Sequence, residues 1–120
     1  MKILVCEDDL ITLKAIEYSF KKEGYEVITA EDGKVGADRL REYRDEIDVM
    51  ITDQHMPYFS GLELVHLARI ELKVDFPIIM LTRVNQEETK QRAYSLGVSD
   101  YITKPFLPGQ LLLRVKNVLK

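Results

Sequence analysis

The segment Ile3-Leu4-Val5-Cys6 is apolar and stops at three consecutive acids, Glu7, Asp8 and Asp9. Like charges gathered at one spot repel, so the cluster asks for something to bind it. Three further short runs end on groups with chemistry of their own. VMITD ends on Asp53, IIMLT on Thr82, and YITK on Lys104 with Pro105 next. Several carboxylates suit a hard divalent cation. Mg²⁺ takes oxygen ligands in octahedral geometry, keeps several waters, and is held by one or two carboxylates plus a phosphate. A hydroxyl and an ammonium suit the oxygens of a phosphoryl group. The set reads as phosphoryl transfer with a carboxylate as the accepting nucleophile.

Each residue alone has an ordinary reading. Asp8 or Asp9 could cap a following helix. Asp53 could be a solvated turn residue, and Thr82 could reflect β-propensity. A Lys-Pro pair commonly starts a loop. What favours the chemical reading is that the groups are complementary, provided the chain brings them together.

The apolar pattern says how it could. Short apolar or β-branched runs at 3–6, 25–29, 49–52, 78–81 and 101–103 read as strands. Helical spacing fills the gaps. Leu10, Leu13, Ile16 and Phe20 form one stripe, ended by Gly24, and Val35, Leu40 and Tyr43 a looser one. Leu62, Val65, Leu67 and Ile70 mark a third helix, and Leu111, Leu112, Val115, Val118 and Leu119 the last. Asn85 with Glu88 resembles a capping box opening the fourth helix, and Gly97 is its stop. Only Ala93, Tyr94 and Leu96 could pack from that helix, so it should be the least firmly held. Five strand–helix repeats predict an α/β, doubly wound parallel sheet with right-handed crossovers. Ligands of such sheets bind outside the carboxyl ends of the strands, where all these groups fall. If the first strand is central and the third adjoins it, Glu7, Asp8 and Asp53 share one pocket.

Composition fits one soluble domain over residues 1–120. Hydrophobic residues make up 46% and charged residues 31%, with a net charge of −3 and both signs interspersed. Bulk charge therefore does not point to nucleic acid or a membrane surface. No apolar stretch approaches a transmembrane span or a secretory leader. The single cysteine, Cys6, cannot form an internal disulfide and should be a buried small hydrophobe. A cytoplasmic location is expected.

The stretches ILVCEDD, DVMITDQHMPYFSGLEL, PIIMLT and GVSDYITKPF, in this order, give the chain a likeness to a known family. It resembles the receiver domain of bacterial two-component response regulators over essentially all 120 residues. The resemblance implies a flavodoxin-like (βα)5 sandwich with strand order 2-1-3-4-5. It implies that Asp53 accepts a phosphoryl group from the histidine of a sensor kinase or phosphotransfer protein. Asp8 would bind Mg²⁺ directly, Glu7 through water, and His55 through its backbone carbonyl. Lys104 would hold a phosphoryl oxygen, with a cis bond to Pro105. Thr82 and Tyr101 would be the switch pair that passes the change to an output domain or effector protein. The domain itself would make no direct nucleic-acid contact. Serine at position 60 replaces the acid often found before Gly61, and is itself a good helix cap.

One departure is Arg83, where the family usually has a small residue. Two readings are open: its guanidinium snorkels into solvent, or it covers the acid pocket or pairs with an acid there. A haloacid-dehalogenase-like phosphohydrolase needs a second acid two residues after the nucleophile, where His55 stands. A flavodoxin-like carrier would find its phosphate repelled by the acidic first loop. A receiver that no longer accepts phosphate sits poorly with the complete set of Glu7, Asp8, Asp53, Thr82 and Lys104. The expected output face is the fourth helix, fifth strand and fifth helix, where a homodimer is possible. Leu113 points away from its helix's apolar stripe and should be exposed there. Ser99 and Gln110 stand where DNA-binding relatives commonly carry acids, so charge should matter less to any dimer.

Overall fold

Strand β1, Lys2–Cys6, is buried from Ile3 onward and lies at the middle of the molecule. Its neighbours are β2, Glu26–Ala30, and β3, Val49–Asp53; β4, Ile78–Thr82, and β5, Asp100–Thr103, complete the sheet. The computed structural model describes residues 1–83 and 86–120. All pairings are parallel and the order is β2-β1-β3-β4-β5. Every residue of β3 and β4 is buried, as an apolar run covered on both faces requires.

Alternation along the strands splits the core in two. Leu4, Cys6, Met50, Ile78 and Met80 face α2 (Gly33–Tyr43), α3 (Gly61–His66) and α4 (Glu87–Leu96). Ile3, Val5, Ile51, Ile79 and Leu81 face α1 (Leu10–Lys22) and α5 (Pro108–Val118). The expected fold is therefore present; β1, β3, β4 and β5 each extend one residue beyond the predicted run, and β2 is shifted by one.

Helix ends follow the chemistry of their caps. Asp9 caps α1, its carboxylate accepting the N–H of Ile11, which decides between Asp8 and Asp9. Asp32 caps α2, and Ser60 with Glu63 forms a reciprocal capping box on α3. Gly97 ends α4 at φ +106°, a left-handed conformation that glycine adopts without cost. The proposed box at Asn85 lies outside the described residues.

Two apolar-stripe expectations fail. Leu10 is 52% exposed, because it is the first residue of α1 and projects past the sheet. Ile70 is 54% exposed because α3 runs into a π-helical turn, Leu67–Glu71. There the N–H of Leu72 reaches back five residues to the carbonyl of Leu67 at 2.8 Å. The wider turn shifts the phase of the stripe: Leu67 is buried as expected, and Ala68 is buried where Ile70 was expected. The fourth helix has as few packing residues as expected: Ala93 is its one fully buried residue.

Candidate functional site

Because the strands are parallel, β1, β3, β4 and β5 release their last residues at one edge. β1 passes Glu7 into the end of the sheet, where its N–H donates to the carbonyl of Ala30 at 3.0 Å. β3 ends at Asp53, and its neighbour β4 at Thr82. The carboxylate oxygens of Glu7, Asp8 and Asp53 come within 4.8 Å of one another. Glu7 and Asp53 are buried and Asp8 is exposed.

Lys104 reaches this cluster from the end of β5. Its Nζ lies 2.6 Å from Glu7 Oε1 and 3.0 Å from Asp53 Oδ2. The other Asp53 oxygen accepts the N–H of Gln54 at 2.8 Å. The second Glu7 oxygen accepts the N–H of Asp9 at 3.3 Å. Burial pushes the Glu7 carboxyl up to about 7; the hydrogen bond from Lys104 opposes the rise and the nearby Asp53 adds to it. Burial alone would lower Lys104, but the hydrogen bonds to Glu7 and Asp53 outweigh it and raise its pKa. One ammonium faces an excess of carboxylate, and the carboxyl most shielded from water takes up a proton first. That residual negative charge, on oxygen ligands alone, fits a hard divalent cation. Among the described residues, neither nitrogen nor sulfur ligands join the cluster.

Thr82 is fully buried, and its hydroxyl has no hydrogen-bond partner among the described residues. An unpaired buried hydroxyl costs roughly 1–3 kcal/mol, the kind of expense functional sites carry. Tyr101 is half-buried beside α4. Its hydroxyl donates to the carbonyl of Gln86 at 3.4 Å, and Lys90 Nζ stands 5.5 Å from its ring centre. The Lys104–Pro105 peptide is cis. The His55 side chain is exposed. Arg83 is exposed and makes no ion pair among the described residues. It borders a groove of about 560 Å³, shared with Asp9, Thr12, Lys104, Phe106 and Pro108.

Two contributors escaped the sequence reading. The Gln54 side chain accepts the N–H of Leu62 at 2.8 Å, and its backbone carbonyl that of Gly61. Gln54 thus staples the loop after Asp53 to the start of α3. Gly61 is required there, since a Cβ would sit 2.4 Å from the carbonyl oxygen of Asp53. The second is Tyr58, at φ +73° in the same loop, a left-handed conformation that few non-glycine residues adopt. Sequence spacing carries no signal for either.

This constellation on a (βα)5 sheet has counterparts. The family profile of the response regulator receiver domain matches residues 3–116, so the chain belongs to that family. It is 35% identical over 119 residues to the alkaline phosphatase synthesis transcriptional regulatory protein PhoP of Bacillus subtilis (strain 168). That match takes in 99% of the chain but 48% of PhoP, so the chain spans about half the length of that curated relative. Among solved structures, a receiver domain protein from Clostridium thermocellum aligns with TM-score 0.91 and 29% identity, over 98% of this chain and 93% of that one. The chemotaxis response regulator CheY4 of Vibrio cholerae aligns with TM-score 0.89 and 34% identity, over 98% of each chain. No helix among the described residues is long and apolar enough to cross a membrane.

Proposed function

We propose that residues 1–120 form a phosphoacceptor receiver domain, phosphorylated on Asp53 in a Mg²⁺-dependent reaction and acting in the cytoplasm. The donor is the phosphohistidine of a sensor kinase or phosphotransfer protein. The observation that carries this reading is the position of Lys104, within hydrogen-bond distance of both Glu7 and Asp53 at the sheet edge.

In the transfer, an Asp53 carboxylate oxygen forms the new bond to phosphorus as the bond from phosphorus to the donor's imidazole nitrogen breaks. The electron pair of the broken bond stays on the imidazole. Asp8, Asp53, the backbone carbonyl of His55 and, through water, Glu7 would hold Mg²⁺, which when bound offsets the charge gathering on the phosphoryl oxygens. Lys104 leaves Asp53 for a phosphoryl oxygen and keeps its proton. The Thr82 hydroxyl, without a partner of its own, donates to another phosphoryl oxygen. Movement of Thr82 vacates space that the Tyr101 ring fills, which alters the α4-β5-α5 surface. That surface then engages an output domain, an effector protein or a second copy of the chain.

The test is incubation with acetyl phosphate or a histidine kinase, with and without Mg²⁺, followed by mapping of the adduct by mass spectrometry. The expected result is one Mg²⁺-dependent phosphoryl group on Asp53. Label that persists in Asp53→Asn, or forms equally well in EDTA, refutes the assignment.

A further inference from the structure

Among the described residues, the two ends of α4 have very unequal hydrogen-bond partners. At the C-terminal end, Arg69 projects from the π-helical turn after α3. Its Nε and Nη2 donate to the carbonyl of Gly97 at 3.1 and 2.9 Å, and its Nη1 donates to the carbonyl of Val74 at 3.0 Å. One planar guanidinium thus ties the residue just past α4 to the segment entering β4. A positive charge here also complements the negative end of the helix dipole. The fit is close: a Cβ on Gly97 would lie 3.0 Å from Arg69 Nε. The one fully buried side chain of α4, Ala93, lies in this half, and buried Val98 follows.

At the N-terminal end, Gln86 provides no side-chain cap. Its hydrogen bond to another element, among the described residues, is the 3.4 Å contact from the Tyr101 hydroxyl.

We propose that Arg69 is a positioning residue that fixes the C-terminal end of α4 and so confines the helix's response to its N-terminal end. The π-helical turn is what makes this possible, because it reorients Arg69 relative to a regular α3. Loss of the Tyr101 contact would release the N-terminal end while Arg69 keeps Gly97 in place. The confinement rests on the switch reading of Thr82 and Tyr101 given above; the clamp itself does not.

Residue-resolved amide exchange by NMR separates the two. The probes are Lys90, whose N–H donates to Gln86, and Gly97 and Val98, whose N–H groups donate to Tyr94 and Ala93. In the unactivated protein, Arg69→Ala should speed exchange at Gly97 and Val98 about tenfold, the equivalent of one hydrogen bond. Arg69→Lys should fall between, since an ammonium cannot fork across two carbonyls. Tyr101→Phe should speed Lys90 and leave Gly97 and Val98 unchanged. Unchanged exchange at Gly97 and Val98 in Arg69→Ala overturns the clamp. So does a uniform acceleration that includes the β3 amides, or an equal effect of Tyr101→Phe at both ends. Beryllofluoride with Mg²⁺ should then alter Lys90 but not Gly97 or Val98 in the wild-type chain. A change at Gly97 and Val98 overturns the confinement. No change anywhere in α4 refutes the switch reading and the confinement with it, while the clamp still stands or falls on the unactivated arm.

Discussion

Glu7 Oε1 and Lys104 Nζ are 97 residues apart in the chain and 2.6 Å apart in space. The pair ties the buried acids of the site to one ammonium. Lys104 offsets part of the repulsion between Glu7 and Asp53, and it also competes with any metal for the same oxygens. Lys104→Ala should destabilise the metal-free protein at neutral pH by about 1–2 kcal/mol, between the values for an exposed pair and for a broken buried one, because the lysine is partly exposed. It should tighten Mg²⁺ binding by up to about tenfold and impair the response to a phosphodonor. Urea unfolding in EDTA and a Mg²⁺ titration read the first two. Weaker Mg²⁺ binding in the variant would contradict the competition.

The pH dependence has a defined sign. Glu7 is raised by burial to about 7 in the folded protein from an ordinary 4.5, facing Lys104, Asp53 and Asp8. The folded state therefore holds a proton that the unfolded chain releases between those values. Glu7's contribution is complete below about pH 4.5 and is lost as pH rises through about 7. The loss is at most ~3 kcal/mol by linkage. Glu7→Gln removes the titration. In EDTA, the wild type should lose stability relative to Glu7→Gln between pH 5 and pH 8. Parallel pH profiles for the two proteins would show that Glu7 stays ionised.

Arg83 stands at the rim of the groove that Lys104 also lines, and among the described residues no acid pairs with it. An exposed charge near the carboxylates acts through solvent, so its effect is small and falls with salt. Arg83→Ala should speed phosphorylation by acetyl phosphate and tighten Mg²⁺ by about two- to fivefold at low ionic strength. The difference should shrink at high salt. Identical rates at both salt concentrations would assign the guanidinium a purely solvated role.

Leu113 is 59% exposed, as its place on the helix predicts. Beside it, Arg114 Nη1 donates to both oxygens of Asp100 at 3.1 Å, so these charges are already paired within the chain. An activated dimer or partner complex on this face should then depend on Leu113 and only modestly on salt. Analytical ultracentrifugation with beryllofluoride, on wild type and Leu113→Glu at two salt concentrations, checks this. A dimer that survives Leu113→Glu yet dissociates with salt would show a charge-based interface.

The sheet was legible because its central strands are covered on both faces and read as unbroken apolar runs, such as IIMLT. Once parallel order is assumed, the reactive groups at strand ends fall together without further information. Asp9 could not be told from Asp8 as the cap, since both precede the helix and only the turn geometry selects one. Ile70 was misplaced because a π-helical turn leaves no mark on helical spacing. The same turn hid Arg69, which meets Gly97 across a gap of 28 residues. Tyr58 acts through backbone geometry, which side-chain type does not report, and Gln54 through a side-chain bond to Leu62 that no spacing marks.

Cys6 offers a practical use of the core. It is the chain's single cysteine, fully buried on the interior strand β1, and burial pushes its thiol up to about 12. Thiolate is the reactive form, so the native protein should ignore alkylating reagents. Modification then has to wait for β1 to open, an event close to global unfolding. A maleimide trapping curve on the untouched sequence would therefore clock that opening directly. The same clock, run with and without Mg²⁺, would show how far an ion at the sheet's edge steadies its centre.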